Sequence, residues 1–98
     1  MYKNKNNDGT LNICGKIIAT LRKNLTPKTS QRQLADMLQL QGLDVDKNAI
    51  QRIEQGKRFV TDIELNILAD VLNVSTDYLL GKTNISQPYP FEHIEYID

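Results

Sequence analysis

The sequence predicts an all-α protein, a single domain of five short helices. Apolar residues recur at three- and four-residue spacing along most of the chain, as they do on the buried side of a helix. Two Ser/Thr-x-x-Gln/Glu pairs have the form of a capping box, which opens a helix, and glycines follow where the apolar patterns end. A chain of 98 residues suffices for one core, so we expect one domain.

The first helix is predicted from about residue 12 to about residue 24, before Pro27 interrupts the pattern. Its expected core stripe recurs every four residues and comprises Ile13, Ile17, Leu21 and Leu25. The second helix is predicted to begin at Gln31, because Ser30 and Gln33 form a capping box directly before it. This helix should bury Leu34, Ala35 and Leu38.

The third helix is predicted between Asp46, a natural N-cap, and Gly56, which suits a left-handed C-terminal cap. Around a helical wheel, Ile50 faces the core together with Ala49 and Ile53. An opposite arc of about 140° holds hydrogen-bonding side chains and no carboxylate. Its members are Lys47, Asn48, Gln51, Arg52 and Gln55. Such groups match base edges in the major groove of DNA, although the arc alone is also compatible with an ordinary solvated face.

The fourth helix is predicted to open at the capping box of Thr61 and Glu64 and to continue to about Leu72. It has the expected core stripe and a second apolar stripe on the opposite side, made of Ile63, Ile67 and Val71. This second stripe should pack either on the apolar C-terminal tail, which contains Phe91, or on a second subunit. A short fifth helix is expected from the cap Ser75 to Gly81.

Charge is divided unevenly along the chain, although the formal total is zero. Residues 1–60 contain eleven Lys/Arg and five Asp/Glu, a balance of +6. Residues 61–98 contain one Lys and seven Asp/Glu, a balance of −6. The basic part also contains the polar arc of the third helix, and both observations indicate a surface that faces a polyanion.

Composition argues against several other classes. No apolar run approaches the roughly 18 residues of a membrane span, and the first residues lack the apolar core of a secretory signal. The single cysteine, Cys14, is expected to be a small buried hydrophobe in a cytoplasmic protein. The single histidine, His93, gives no support to a metal site. No phosphate-binding loop or nucleophile–histidine–acid set is evident, so we expect no enzyme activity and no cofactor.

The sequence resembles a known protein family over most of its length. The similar residues cover about residues 12–82 and include Ser30-Gln31 with Leu34-Ala35, then Ile50, Arg52-Ile53-Glu54 and Gly56-Lys57-Arg58, then Leu72-Asn73-Val74-Ser75 and Tyr78-Leu79-Leu80-Gly81. In this order they resemble the lambda-repressor-like helix-turn-helix proteins, which include phage repressors, Cro and xenobiotic-response-element regulators. The resemblance implies a five-helix DNA-binding domain over residues 11–82. Residues 1–10 would be a flexible polar arm, and residues 83–98 an acidic and apolar tail.

The resemblance also implies roles for individual residues. The base-contacting positions are Lys47, Asn48 and Gln51. The backbone-contacting positions are Gln31, Arg32, Arg52, Gln55, Lys57 and Arg58. Gln31 would also brace the third helix, and Arg22 would form an ion pair with Glu54. Family members usually bind two half-sites as homodimers. The candidate dimer residues are the apolar ones that no predicted core contact explains, namely Ile63, Ile67, Val71 and, in the tail, Phe91.

The connector between the second and third helices departs from the family pattern. Relatives commonly place the cap of the third helix three residues after the last leucine of the second, whereas Leu38 and Asp46 are eight residues apart here. The extra five residues lengthen the second helix or enlarge the turn. We expect apolar side chains to anchor this connector, namely Leu40, Leu43 and Val45.

The sequence is therefore compatible with two functions. The first is a sequence-specific transcriptional regulator, a repressor that binds palindromic double-stranded DNA as a homodimer. The alternative is a protein-interaction module on the same fold, an antitoxin or antirepressor that holds a protein partner with its acidic half.

Overall fold

A computed structural model describes residues 5–88 of the chain. This part contains no strand, and its five helices are α1 (Gly15–Lys23), α2 (Gln31–Leu40), α3 (Lys47–Glu54), α4 (Asp62–Leu72) and α5 (Thr76–Leu79). The predicted all-α class is confirmed.

The predicted caps open the helices where the sequence places them. The Ser30 hydroxyl accepts from the Gln33 N–H, and the Gln33 side chain accepts from the Ser30 N–H. Thr61 and Glu64 form the same reciprocal pair at the start of α4. Each box satisfies N–H groups that a helix start leaves without partners. The boxes therefore fix where α2 and α4 begin.

One core unites the five helices and the connectors. Its buried apolar residues are Cys14, Ile18, Leu34, Ala35, Leu38, Val45, Ile50, Ile53, Leu68, Ala69, Leu72, Val74 and Leu79. The predicted burial of α2 and of the apolar side of α3 is confirmed.

The expected core stripe of α1 was only partly right. The helix begins at Gly15, and its fully buried aliphatic residue is Ile18. Ile17, Leu21 and Leu25 pack at the margin of the core. Ile13 lies before the helix and is 51% exposed, so a predicted helix start three residues too early misplaced it.

The long connector folds as a continuation of α2 and a turn. Gly42 has φ +91°, a left-handed conformation that glycine adopts without steric cost. After it, Leu43 packs against the core and Val45 is buried, as expected. The Gln39 side chain donates to the Val45 carbonyl at 2.7 Å. Leu40 was wrongly predicted as an anchor, because it lies on the outer side of the last turn of α2 and is 85% exposed.

The second apolar stripe of α4 is divided between core and solvent. Ile67 and Val71 are partly buried against the core of their own subunit, so much of this stripe has an intrachain role. Ile63, in the first turn, is 67% exposed. Phe91, the other candidate dimer residue, lies outside the described residues.

Gly15 brings α1 into direct contact with the C-terminal end of α3. A Cβ atom at this position would overlap the Ile53 carbonyl oxygen, and it would lie 2.9 Å from Oδ1 of Asn12. The neighbouring atoms include backbone of a second helix, which cannot simply rotate away. The absence of a side chain at Gly15 therefore sets how closely α1 and α3 pack.

We predict that Gly15→Ala lowers the free energy of unfolding by about 1–3 kcal/mol, the usual cost of an overpacked site. Alanine is the better helix former by about 1 kcal/mol, so helix propensity alone predicts the opposite sign. Urea unfolding followed by circular dichroism measures the change. Thr20→Ala, at an exposed position of the same helix, serves as the control and should be nearly neutral. A stabilised Gly15→Ala variant would contradict the close packing.

Candidate nucleic-acid interface

Helix α3 separates its apolar and polar residues as the helical wheel predicts. Ile50 and Ile53 are 0% and 2% exposed. All members of the polar arc are exposed, namely Lys47, Asn48, Gln51, Arg52 and Gln55. The side chains of this exposed face are hydrogen-bonding or cationic, and the carboxylate of the helix, Glu54, is turned away from it. The face can therefore approach a polyanion without repulsion from its own residues.

Glu54 joins three helices at the C-terminal end of α3. Its Oε2 accepts from Nε of Arg22 at 2.7 Å, and its Oε1 accepts from the second guanidinium nitrogen at 2.9 Å. The predicted ion pair is thus present, with both side chains about nine-tenths buried. Nε2 of Gln31 also donates to Oε1 at 2.9 Å, and Arg22 donates further to the Thr29 carbonyl. Hydrogen bonding to Glu54 raises the pKa of Arg22, so the guanidinium stays charged despite its burial.

Gln31 has the bracing contact that the resemblance implies. Its amide links the first residue of α2 to the last residue of α3. Arg32, the next residue of α2, is exposed. It lines a groove between the two helices that also contains Asp36, Gln39, Asp46 and Lys47. The structure thus places Arg32 and Lys47 along one groove between α2 and α3.

The two cations that follow α3 differ in their surroundings. Lys57 is exposed. Arg58 is partly buried, and its guanidinium donates to both carboxylate oxygens of Glu64, at 3.0 and 2.9 Å. Hydrogen bonding to Arg58 is the largest cause that lowers the pKa of Glu64. Arg58 is therefore occupied by an internal partner that sequence reasoning did not identify.

Sequence reasoning also missed Asn12. This side chain precedes α1 and bonds to the backbone at the end of α3 and in the loop beyond it. The N-cap residue of α1 is Cys14, so Asn12 is not at the position where an asparagine marks a helix start. Nothing in the local pattern indicates its distant partners.

Comparison with protein families identifies the class. A helix-turn-helix family model matches residues 18–79, more than half of the chain. The chain belongs to this family, the lambda-repressor and Cro-like helix-turn-helix proteins. It is accordingly a DNA-binding helix-turn-helix regulator. No curated protein and no solved structure matches the chain.

Neither a metal site nor a membrane-spanning helix is present within residues 5–88. No group of three or more His, Cys, Asp or Glu side chains in that range could hold a metal ion. None of its helices is long and apolar enough to cross a membrane.

The Arg58–Glu64 pair predicts a pH dependence of stability. Because the folded state lowers the pKa of Glu64 below its ordinary value of 4.5, the stabilisation is complete above that pH. It is lost as pH falls through the lowered pKa. For a pair at the surface we expect about 0.5–1 kcal/mol. Glu64→Gln keeps a side chain that can complete the capping box but should remove this part of the acid-induced loss.

Urea unfolding between pH 3 and pH 7 tests the prediction, with Asp70→Asn as a charge-matched control on the exposed side of α4. The wild-type protein and Asp70→Asn should lose stability more steeply on acidification than Glu64→Gln. Parallel curves for Glu64→Gln and the wild type would show that the pair does not stabilise the fold.

Proposed function

We propose that this protein is a cytoplasmic transcriptional repressor that inserts α3 into the major groove of a palindromic operator as a homodimer. The observation that carries the proposal is the exposed face of α3, which consists of donors and cations and is held at one end by Glu54. A recognition helix needs this combination, because base edges are matched by side chains whose backbone is fixed.

We assign base contacts to three exposed residues of α3, namely Lys47, Asn48 and Gln51. Asparagine and glutamine can bond adenine with both amide atoms, and lysine can donate to guanine. Phosphate contacts are assigned to Gln31, Arg32, Arg52, Gln55 and Lys57. Arg58 is given a smaller part, because its guanidinium already serves Glu64. Its main contribution would be to hold the start of α4.

Homodimer formation would solve the problem of selectivity. One subunit offers about four polar residues to one groove, which is too few to select a site among the competing sites of a genome. Ile63 supplies exposed apolar surface on α4, beside the acidic residue Asp62. A pair formed through this surface would keep the acidic part of each subunit apart from the phosphates. The same surface could instead hold a protein partner, as in the antitoxin or antirepressor alternative.

We predict that two substitutions separate affinity from specificity. Lys57→Ala should weaken binding to all duplexes and reduce the slope of log affinity against log salt by about 0.9, the effect of one phosphate contact. Gln51→Ala should lose about 1–3 kcal/mol of discrimination at one base pair. Fluorescence titration of a labelled duplex from the region upstream of its own gene, at several salt concentrations, measures both.

Lys82→Ala is the control, because Lys82 is an exposed cation after α5, outside the proposed interface. It should leave the salt slope and the discrimination unchanged. If Gln51→Ala and Lys57→Ala act identically on the specific duplex and on random DNA, α3 does not read bases. If the wild-type protein binds no DNA in this titration, the protein-interaction alternative is favoured.

We predict further that Ile63→Asp weakens the dimer at least tenfold, because a carboxylate would have to be buried in the apolar contact. Ile67 is a less clean test, since it also packs against the core of its own subunit. Asn66→Asp, an exposed neighbour on α4, is the control for added charge. Sedimentation of the free protein and of its DNA complex gives the subunit count. One subunit per operator with unchanged binding by Ile63→Asp would exclude this dimer.

A further inference from the structure

The segment before α1 is hydrogen-bonded to the C-terminal end of the proposed recognition helix. Nδ2 of Asn12 donates to the Ile53 carbonyl at 3.0 Å and to the Arg58 carbonyl at 2.8 Å. The Leu11 N–H donates to the Gly56 carbonyl at 2.8 Å. This segment precedes residue 18, where the family match begins, so the match assigns it no role.

The contacts reach the last turn of α3 and the loop that follows it. Ile53 lies in the last turn of α3, and its carbonyl accepts from the Gly56 N–H at 3.0 Å as well as from the Asn12 amide. A carbonyl oxygen has two lone pairs, so the Asn12 amide occupies its second acceptor site. One amide group of Asn12 thus ties the end of α3 to the loop that leads into α4. The segment before α1 also lies close to the loop that follows α3. Gly56 is buried at φ +75°, and a Cβ there would lie 2.7 Å from the Thr10 methyl carbon.

We infer that Asn12 is a positioning residue that sets the placement of α3 for reading bases. The inference rests on the DNA-reading function proposed above. The end of α3 is held in two ways. The Glu54 side chain bonds the side chains of Arg22 and Gln31. The Asn12 side chain bonds the backbone carbonyl of Ile53 in α3. Together, the side-chain bonds of Glu54 and the bond from Asn12 to the backbone restrain the tilt of α3 better than either set alone. Side chains make productive contacts with bases only when the helix that carries them lies within about 0.5 Å and 10–20° of the required position and orientation.

A simpler role for Asn12 is a capping bond to the first N–H of α1, made from two residues before the N-cap residue Cys14: its Oδ1 accepts from the Gly15 N–H at 2.9 Å. The two roles use different atoms and can be separated. Aspartate keeps an oxygen at the same place, which can accept this bond. It has no N–H to donate, and its charge would face the carbonyl oxygens of Ile53 and Arg58. Asn12→Asp therefore preserves the cap and removes the tie to α3.

The experiment compares Asn12→Asp and Asn12→Ala with Asn7→Asp and Asn7→Ala. Asn7 is exposed in the same segment and controls for the added charge. One duplex is selected by the wild-type protein from a randomised pool, and the other is its scrambled counterpart. Affinity for each is measured by fluorescence titration at a temperature where circular dichroism shows every variant folded.

We expect both Asn12 variants to lower the ratio of selected to scrambled affinity about tenfold, the size of one lost base contact. Asn7→Asp should weaken both duplexes by a common factor and leave the ratio unchanged. A wild-type ratio for Asn12→Asp would overturn the inference and leave Asn12 as a cap. An equal loss on both duplexes would overturn it as well. If the wild-type protein enriches no duplex from the pool, the DNA-reading function fails and the inference fails with it. If Asn12→Ala does not fold, Asn12→Asp alone decides, because it retains the cap.

Discussion

The arrangement of the DNA-reading unit depends on the bonds made by the Glu54 carboxylate. Removing a carboxylate and a guanidinium from water costs several kcal/mol per ion, and apolar packing in their place is often equally stable. Hydrogen bonds from Arg22 and Gln31 offset that cost by serving both carboxylate oxygens. What the pair adds beyond stability is direction, because the planar guanidinium holds the carboxylate in a fixed orientation. The last residue of α3 is thereby fixed in position relative to both α1 and α2.

Features governed by neighbouring residues could be predicted from the sequence. The starts of α2 and α4 follow from capping boxes, in which both partners lie within three residues of each other. The Arg22–Glu54 pair spans 32 residues and was predicted only because the chain resembles a family. Asn12 bonds to carbonyls 41 and 46 residues away, and no periodicity in the sequence encodes such contacts. The start of α1 was misjudged for a related reason, since Ile13 continues the apolar spacing although it lies outside the helix.

Ion pairing changes the meaning of the charge division along the chain. The surplus of six cations in residues 1–60 counts every Lys and Arg equally. In the fold, Arg22 and Arg58 are neutralised by Glu54 and Glu64. The exposed cations on and beside α3 include Arg32, Lys47, Arg52 and Lys57. In the proposed complex these would supply the salt-dependent part of the affinity, while the paired arginines hold the helices that carry them.

The longer connector is compatible with the family fold because it joins the N-terminal end of α3, whereas Glu54 and Asn12 hold the C-terminal end. Five additional residues cost little in chain entropy, since closure cost grows only with the logarithm of loop length. Burial of the Val45 side chain and the hydrogen bond from Gln39 to the Val45 carbonyl fix the end of the connector just before α3. The bonds that hold the C-terminal end, made by Glu54 and Asn12, involve no connector residue, whereas the N-terminal end directly follows the connector. In the proposed complex, the contacts of Lys47 and Asn48, next to that connector, would then differ most from those of relatives with the short turn.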